Sequence, residues 1–364
     1  MRRFCELMVK ILLGGAIIFT GAILGTLFAS RWLFNDNKDD DIAIVSRHFG
    51  WSGMEVRAIA FYPDGRTIVV GYRSGGRSLL VIWDITTYKR LKVFELNENN
   101  DIEGICISPD GKLIAVSFYW QGVKIFDTNQ FRLIYDFSRL GDVTMAFGAM
   151  AFSPKGDLFA AGNLVWKMPE GVLFKRMDIP KDFWVNGCDF SPDGRFLAIS
   201  GFINESRHHP SPIAFICDVK TGRILKTLLC HECQEQGQTC AEGKRVDFHP
   251  DGKRVAVGTI ADAFYVWNLE TNRVELVRRK GGRWWVVKFS PDGRLLATSG
   301  AGGRVLVWNI ATMKEVLNRK GHVLSVYDLA FNPIGDLLAS GGMDGIVRLW
   351  KLRGKIWYEK SLRL

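Results

Sequence analysis

The sequence predicts an all-β fold: a seven-bladed β-propeller of four-stranded antiparallel blades, preceded by one transmembrane helix. Three observations predict it. The first is a phrase recurring along most of the 364 residues: an apolar residue, any residue, Pro, any residue, Gly. It stands at Phe61–Gly65, Ile107–Gly111, Phe152–Gly156, Phe190–Gly194, Phe248–Gly252, Phe289–Gly293 and Phe331–Gly335. The second is the spacing of its prolines, at 63, 109, 154, 192, 250, 291 and 333, in steps mostly in the forties. A period of that size signals a repeat architecture with one supersecondary unit per repeat. The third is the run Ile11–Phe28, eighteen residues without a charge.

The phrase is a turn. Pro fixes φ and cannot donate to a ladder, so it ends a strand, and Gly supplies the positive φ that closes a tight turn. Each copy follows an apolar strand such as Val286–Phe289 and precedes another such as Leu295–Ser299. A third strand ends in an aromatic and a polar residue, as in Trp83-Asp84, Phe126-Asp127, Trp267-Asn268 and Trp308-Asn309. A fourth, more polar strand leads to the next copy. Four short strands in about forty residues make one propeller blade. Blade three is compressed around Gly162–Lys167.

The segments before the repeat are read in order. Residues 1–34 form an N-terminal membrane anchor, 35–41 a polar linker and 42–364 the propeller. Eighteen helical residues span about 27 Å, close to a hydrocarbon core of roughly 30 Å. Lys10 and Arg31 flank the run, and Trp32 suits the interface. A cut after Ala29 or Ser30 would place Leu27 or Phe28 where a signal peptidase wants a small residue, which favours an uncleaved anchor over a signal peptide. Arg2, Arg3 and Lys10 precede the span while Arg31 and Lys38 follow it, so the N-terminus is read as cytoplasmic and the propeller as extracytoplasmic. Ile42–His48 lies at the distance from its turn phrase expected of a fourth strand, and is assigned to complete the last blade; Lys355–Lys360 is the rival for that place.

The residues of the last unit carry a family resemblance. Gly321-His322 is followed by Leu338-Ala339-Ser340 and by Asp344-Gly345-Ile346-Val347-Arg348-Leu349-Trp350. This pattern resembles the WD40 repeat family over roughly residues 42–354. The resemblance implies that His322, Ser340, Asp344 and Trp350 form a buried hydrogen-bond network within the blade, a structural role. It also implies a non-catalytic protein-interaction scaffold. Other units depart from the pattern, with Gly302 in place of the Asp in the sixth.

The net charge of +10 raises the prior for anionic partners, but basic residues on outer strands also block edge pairing. Two features stand outside the repeat. Insertion 202–243 in blade four carries His208, His209, His231 and the cysteines Cys230, Cys233 and Cys240. The spacing fits no standard zinc finger, and an external location favours a disulfide among the three cysteines, so no metal and no cofactor are expected. A ligand- or metal-binding, even catalytic, use of this insertion is the alternative reading. Cys106, Cys188 and Cys217 are expected in buried strands.

The second feature is Arg283-Trp284-Trp285, in a loop on the same face as the insertion, with Trp51, Phe183 and Trp184 in equivalent loops. Arg beside Trp is the composition of an interface hot spot, so these six residues are the expected partner-binding set. The bland alternative is that half of the rings fill gaps between blades. Signatures of hydrolases, zincins and P-loops are absent, which argues against an enzyme, and no nucleic-acid module accompanies the aromatics. Partners are expected to be proteins, with the membrane engaged through residues 11–28.

Overall fold

The computed structural model describes residues 54–74, 76–96, 101–119, 121–137, 148–203, 211–230, 242–260, 263–279, 283–353 and 356–362. The proposed anchor, the linker, the strand 42–48 and Trp51 lie outside these residues. Among the described residues there is no helix long and apolar enough to cross a membrane.

Seven four-stranded antiparallel sheets follow one another, each an up-and-down meander of consecutive strands. The innermost strands are Glu55–Phe61, Ile102–Ile107, Met150–Phe152, Phe183–Phe190, Gly243–Phe248, Val286–Phe289 and Val326–Phe331. Each packs against the next, and the last packs against the first, so the ring closes. Blade three is complete despite its compression: Leu158–Ala161 and Leu164–Lys167 are joined by Gly162 and Asn163 alone, with Gly162 at φ 60°.

The turn phrases behave as their chemistry dictates. Gly111, Gly194 and Gly293 sit at φ 72°, 73° and 71°. The serine of the phrase locks the turn: Ser108 Oγ donates to Asp110 Oδ1 at 2.6 Å and accepts from the Leu113 amide at 2.9 Å. Ser191 and Ser290 do the same. At the other turn on this face, the polar residue ending the third strand caps the corner. Asp84 accepts from the Thr86 amide at 2.7 Å, and Asn268 from the Thr271 amide at 3.0 Å.

The phrases also join neighbouring blades, which the sequence did not predict. Gly111 of blade two lies against Pro63 of blade one, Gly156 against Pro109, and Gly335 against Pro291; a methyl group on them would stand 3.3–3.4 Å from the proline ring. Gly65 meets Pro333 and Ile334, closing this proline–glycine belt between blades seven and one. At Gly293 the neighbour is His249, whose Nε2 lies 2.8 Å from the Gly293 carbonyl oxygen.

The core is divided among the seams. Each of the seven gaps between blades holds its own apolar cluster. Phe183, Phe215 and Ala160 belong to the seam of blades three and four; Phe264, Trp284 and Trp308 to that of five and six. Val56, Tyr72, Trp83, Val347 and Leu349 fill the seam of seven and one. Alternation along the strands puts one row of side chains into each seam, so every blade is apolar on both faces.

The assignment of Ile42–His48 to the last blade is corrected. Its fourth strand is Ile356–Leu362, paired with Val347–Arg353 in continuous register from Val347↔Leu362 to Arg353↔Ile356. Two residues connect these strands, and so short a loop costs little closure entropy beside the one needed to bring in a segment three hundred residues away. Blade seven is therefore built from consecutive chain, like the other six.

Candidate site on the loop face and channel mouth

An up-and-down blade sends its second-to-third and fourth-to-first connections to one face and its turn phrases to the other. Both pieces of the blade-four insertion connect strands on the first of these, the loop face. The side chains of Cys230, Cys233, Cys240, His208, His209 and His231 lie outside the described residues. Among the described residues no group of three His, Cys, Asp or Glu could hold a metal ion. Cys188 and Cys217 are buried thiols and Cys106 is half-buried; burial pushes the Cys106 and Cys217 thiols up to about 12.

The structure divides the predicted partner-binding set. Phe183 and Trp284 are core residues, a correction to their expected role: they are 0% and 1% exposed and fill seams between blades. A ring with no accessible surface offers a partner nothing. Trp184 and Trp285 are half-buried and Arg283 is exposed. The Trp285 indole donates to the Val326 carbonyl at 2.9 Å, which pins it at the edge of blade seven. The loop position thus alternates between an inward ring and a half-exposed one, as adjacent residues on a strand do.

Half-exposed rings and cations gather at the mouth. Trp184 stacks on Phe202 at 6.5 Å between centroids, and Lys244 lies 5.9 Å over Phe202 while pairing with Glu242 at 3.0 Å. Arg57 lies 4.4 Å over the Tyr327 ring and bonds to Glu103. These contacts come from blades one, two, four, five and seven.

Below the mouth Arg245 reaches across the channel. From blade five, Arg245 donates to the Gly148 carbonyl at 3.0 Å and to the Glu103 carbonyl at 3.1 Å, on blades three and two. Gly104 and Gly148 make room: a methyl group on Gly148 would stand 2.7 Å from the Glu103 oxygen and 3.0 Å from the Arg245 guanidinium. Past this crossing a cavity of about 440 Å³ opens toward the turn face, lined by residues of all seven innermost strands.

Carboxylates staple the hub. Asp189 accepts from the Phe248 amide at 2.7 Å, Asp247 from the Phe289 amide at 2.7 Å, and Asp328 from the Ile59 amide at 2.9 Å. Each ties one blade to the next. Lys288 donates to Asp247, and although burial alone would lower its pKa, the carboxylates of Asp247 and Asp189 hold it raised. Burial and the nearby Asp247 charge push Asp189 up to about 7. Sequence reading missed the three aspartates and the hub role of Lys288. Their signal was present: Asp189, Asp247 and Lys288 each stand three residues before the proline of their phrase.

In blade seven, His322 Nδ1 lies 2.9 Å from Asp344 Oδ1 and its Nε2 2.8 Å from Ser340 Oγ. The Trp350 indole donates to the same hydroxyl at 2.9 Å. His322 and Ser340 are 1% and 0% exposed, so this chain of bonds faces no substrate and orders the blade.

Comparison with known proteins agrees with this architecture. The model of the WD40 family (WD domain, G-beta repeat) matches residues 177–206, 281–309 and 313–351. Protein HIR1 of Cryptococcus neoformans var. neoformans is 25% identical over 128 residues, 34% of this chain and 14% of that protein. Protein groucho of Drosophila melanogaster is 27% identical over 150 residues, 40% of this chain and 20% of its own length. Protein HIR1 of Yarrowia lipolytica is 23% identical over 185 residues, 50% of this chain and 14% of that protein. The matches thus span a fifth or less of the length of these relatives. Three segments of the chain thus match WD40 repeats, and they lie within a seven-bladed β-propeller.

Proposed function

We propose that this propeller is a non-catalytic platform that binds other proteins on its loop face, held at a membrane by residues 11–28 with the propeller on the extracytoplasmic side. The observation that supports it is the convergence of half-exposed aromatic rings and cations at the channel mouth: Trp184 with Phe202 and Lys244, Trp285, and Tyr327 with Arg57. Large rings joined to Arg or Lys are what interface centres are made of. The WD40 resemblance points the same way. The cysteine and histidine side chains on which the metal-binding alternative for insertion 202–243 rests lie outside the described residues.

Photocrosslinking tests the platform. A photoreactive residue placed at Arg283 in cells is expected to capture discrete polypeptides that the same residue at Ile334, on the turn face, does not. Identical products from the two positions would reject the loop face as the binding surface. Protease protection of the intact protein in sealed vesicles tests sidedness: cleavage of the propeller from the cytoplasmic side would reject the orientation.

A further inference from the structure

The loops of blades six and seven form one surface beside the mouth. The Ala301 amide donates to the Arg283 carbonyl at 3.0 Å, and the Val326 amide to the Gly300 carbonyl at 2.9 Å. The Met343 amide donates to the Ser325 carbonyl at 2.8 Å, and the Val323 amide to Asp344 Oδ2 at 3.2 Å. Gly303 packs so closely on this loop that a methyl group would stand 2.7 Å from the Leu324 carbonyl oxygen. Four loops are therefore knit at the backbone, and what they present to solvent can be read as a unit.

That surface is apolar in the middle and cationic around it. Val323, Leu324 and Met343 are 54%, 45% and 40% exposed, and their neighbours along the chain are His322, Ser325, Gly342 and Asp344. Arg283, Arg304 and Lys320 are exposed at its edges. Among the described residues of these loops the one acid is Asp344, and its side chain is turned inward onto His322 and the Val323 amide. Among the described residues of these loops, no other carboxylate stands beside the three cations.

Resting on the platform reading above, we propose that this blade-six and blade-seven surface docks a partner segment that is both apolar and acidic, with aliphatic or aromatic side chains on Val323, Leu324 and Met343 and carboxylates toward Arg283, Arg304 and Lys320. Apolar burial supplies the affinity, and charge complementarity sets partner choice and association rate. A basic segment is rejected by three cations with no acid among them.

The test uses the full-length chain in neutral detergent, sorted against a phage library of random twelve-residue peptides. Enriched peptides are expected to combine Leu, Phe or Met with Asp or Glu. They should bind Leu324→Asp and Arg304→Glu at least about ten-fold more weakly, the size of a hot-spot loss. Raising the salt should weaken them further, since exposed charges are screened. Both side chains are exposed, so the two variants should keep the parent's unfolding temperature. Enrichment of basic peptides, failure to enrich any, or indifference to these substitutions would overturn the proposal. Peptides lost on Trp184→Ala with Lys244→Glu, yet retained on Leu324→Asp, would overturn it while leaving the loop-face platform standing. Binding of the protein to phosphatidylserine vesicles that Leu324→Asp removes, with no peptide enriched, would assign the surface to lipid instead.

Discussion

Trp284 is the position where composition and structure pull apart most, and a substitution there measures the difference. Its ring is 1% exposed, packed among Phe264, Val287, Leu306 and Trp308 in the seam between blades five and six. An indole buries on the order of 200 Å², which at about 25 cal/mol per Å² is about 5 kcal/mol. Its N–H has no hydrogen-bond partner among the described residues, a cost that its deletion would recover in part, by about 1–2 kcal/mol. Trp284→Ala should therefore destabilise by about 3–4 kcal/mol, in the range seen for large-to-small changes in cores. For a domain of about three hundred residues that is a drop of roughly 5–6 °C in unfolding temperature. Trp284→Phe, which keeps a ring and removes the unpaired donor, should cost far less. The assay is thermal unfolding by circular dichroism, with Arg283→Ala as the exposed control. If Trp284→Ala melts within a degree or two of the parent, the ring does not fill that seam and the packing argument fails.

Three further outcomes follow from the geometry. Ser340→Ala should lower stability by about 1–3 kcal/mol in denaturant titration, because His322 and Trp350 both lose the hydroxyl they share. Gly148→Ala should cost about 1–3 kcal/mol and loosen Arg245, since Gly148 sits at φ 75° against the Glu103 carbonyl. Asp189→Asn should become progressively more stable than the parent as pH rises. The folded carboxyl titrates near 7 against an ordinary 3.8, so its contribution is fully present below about pH 4 and is lost as pH climbs to 7. Melting curves at pH 4 and pH 8 check this; a gap that does not widen would reject the buried, charge-crowded setting of Asp189.

Much of the architecture was legible because its marks are local. A Pro and a Gly two residues apart favour a tight turn, so seven phrases marked seven blades, and Gly162 with Asn163 was enough to join the two middle strands of blade three. What joins blades was not legible. The contact of Gly111 with Pro63 and the reach of Arg245 to Glu103 and Gly148 link residues 48, 142 and 97 apart, and no pattern within one repeat encodes them. The site was legible by half. Arg283, Trp184 and Trp285 keep accessible surface, but Phe183 and Trp284 do not, because burial at a strand start turns on a one-residue alternation that composition cannot see. The closing strand was misassigned because spacing to a turn phrase was weighed above nearness along the chain.

Since the last blade takes its fourth strand from the residues that follow it, the ring is a row of seven whole units with its ends brought together. During synthesis each blade can then form as it leaves the ribosome and lay its face on the one before, and six seams assemble in order. The seventh cannot. Val56, Tyr72 and Trp83 wait with their apolar face in water until blade seven arrives, and Ile59 waits for Asp328. A chain cut short by even one blade would leave that face bare for good, so truncation from the C-terminus should end in aggregation sooner than in a smaller ring.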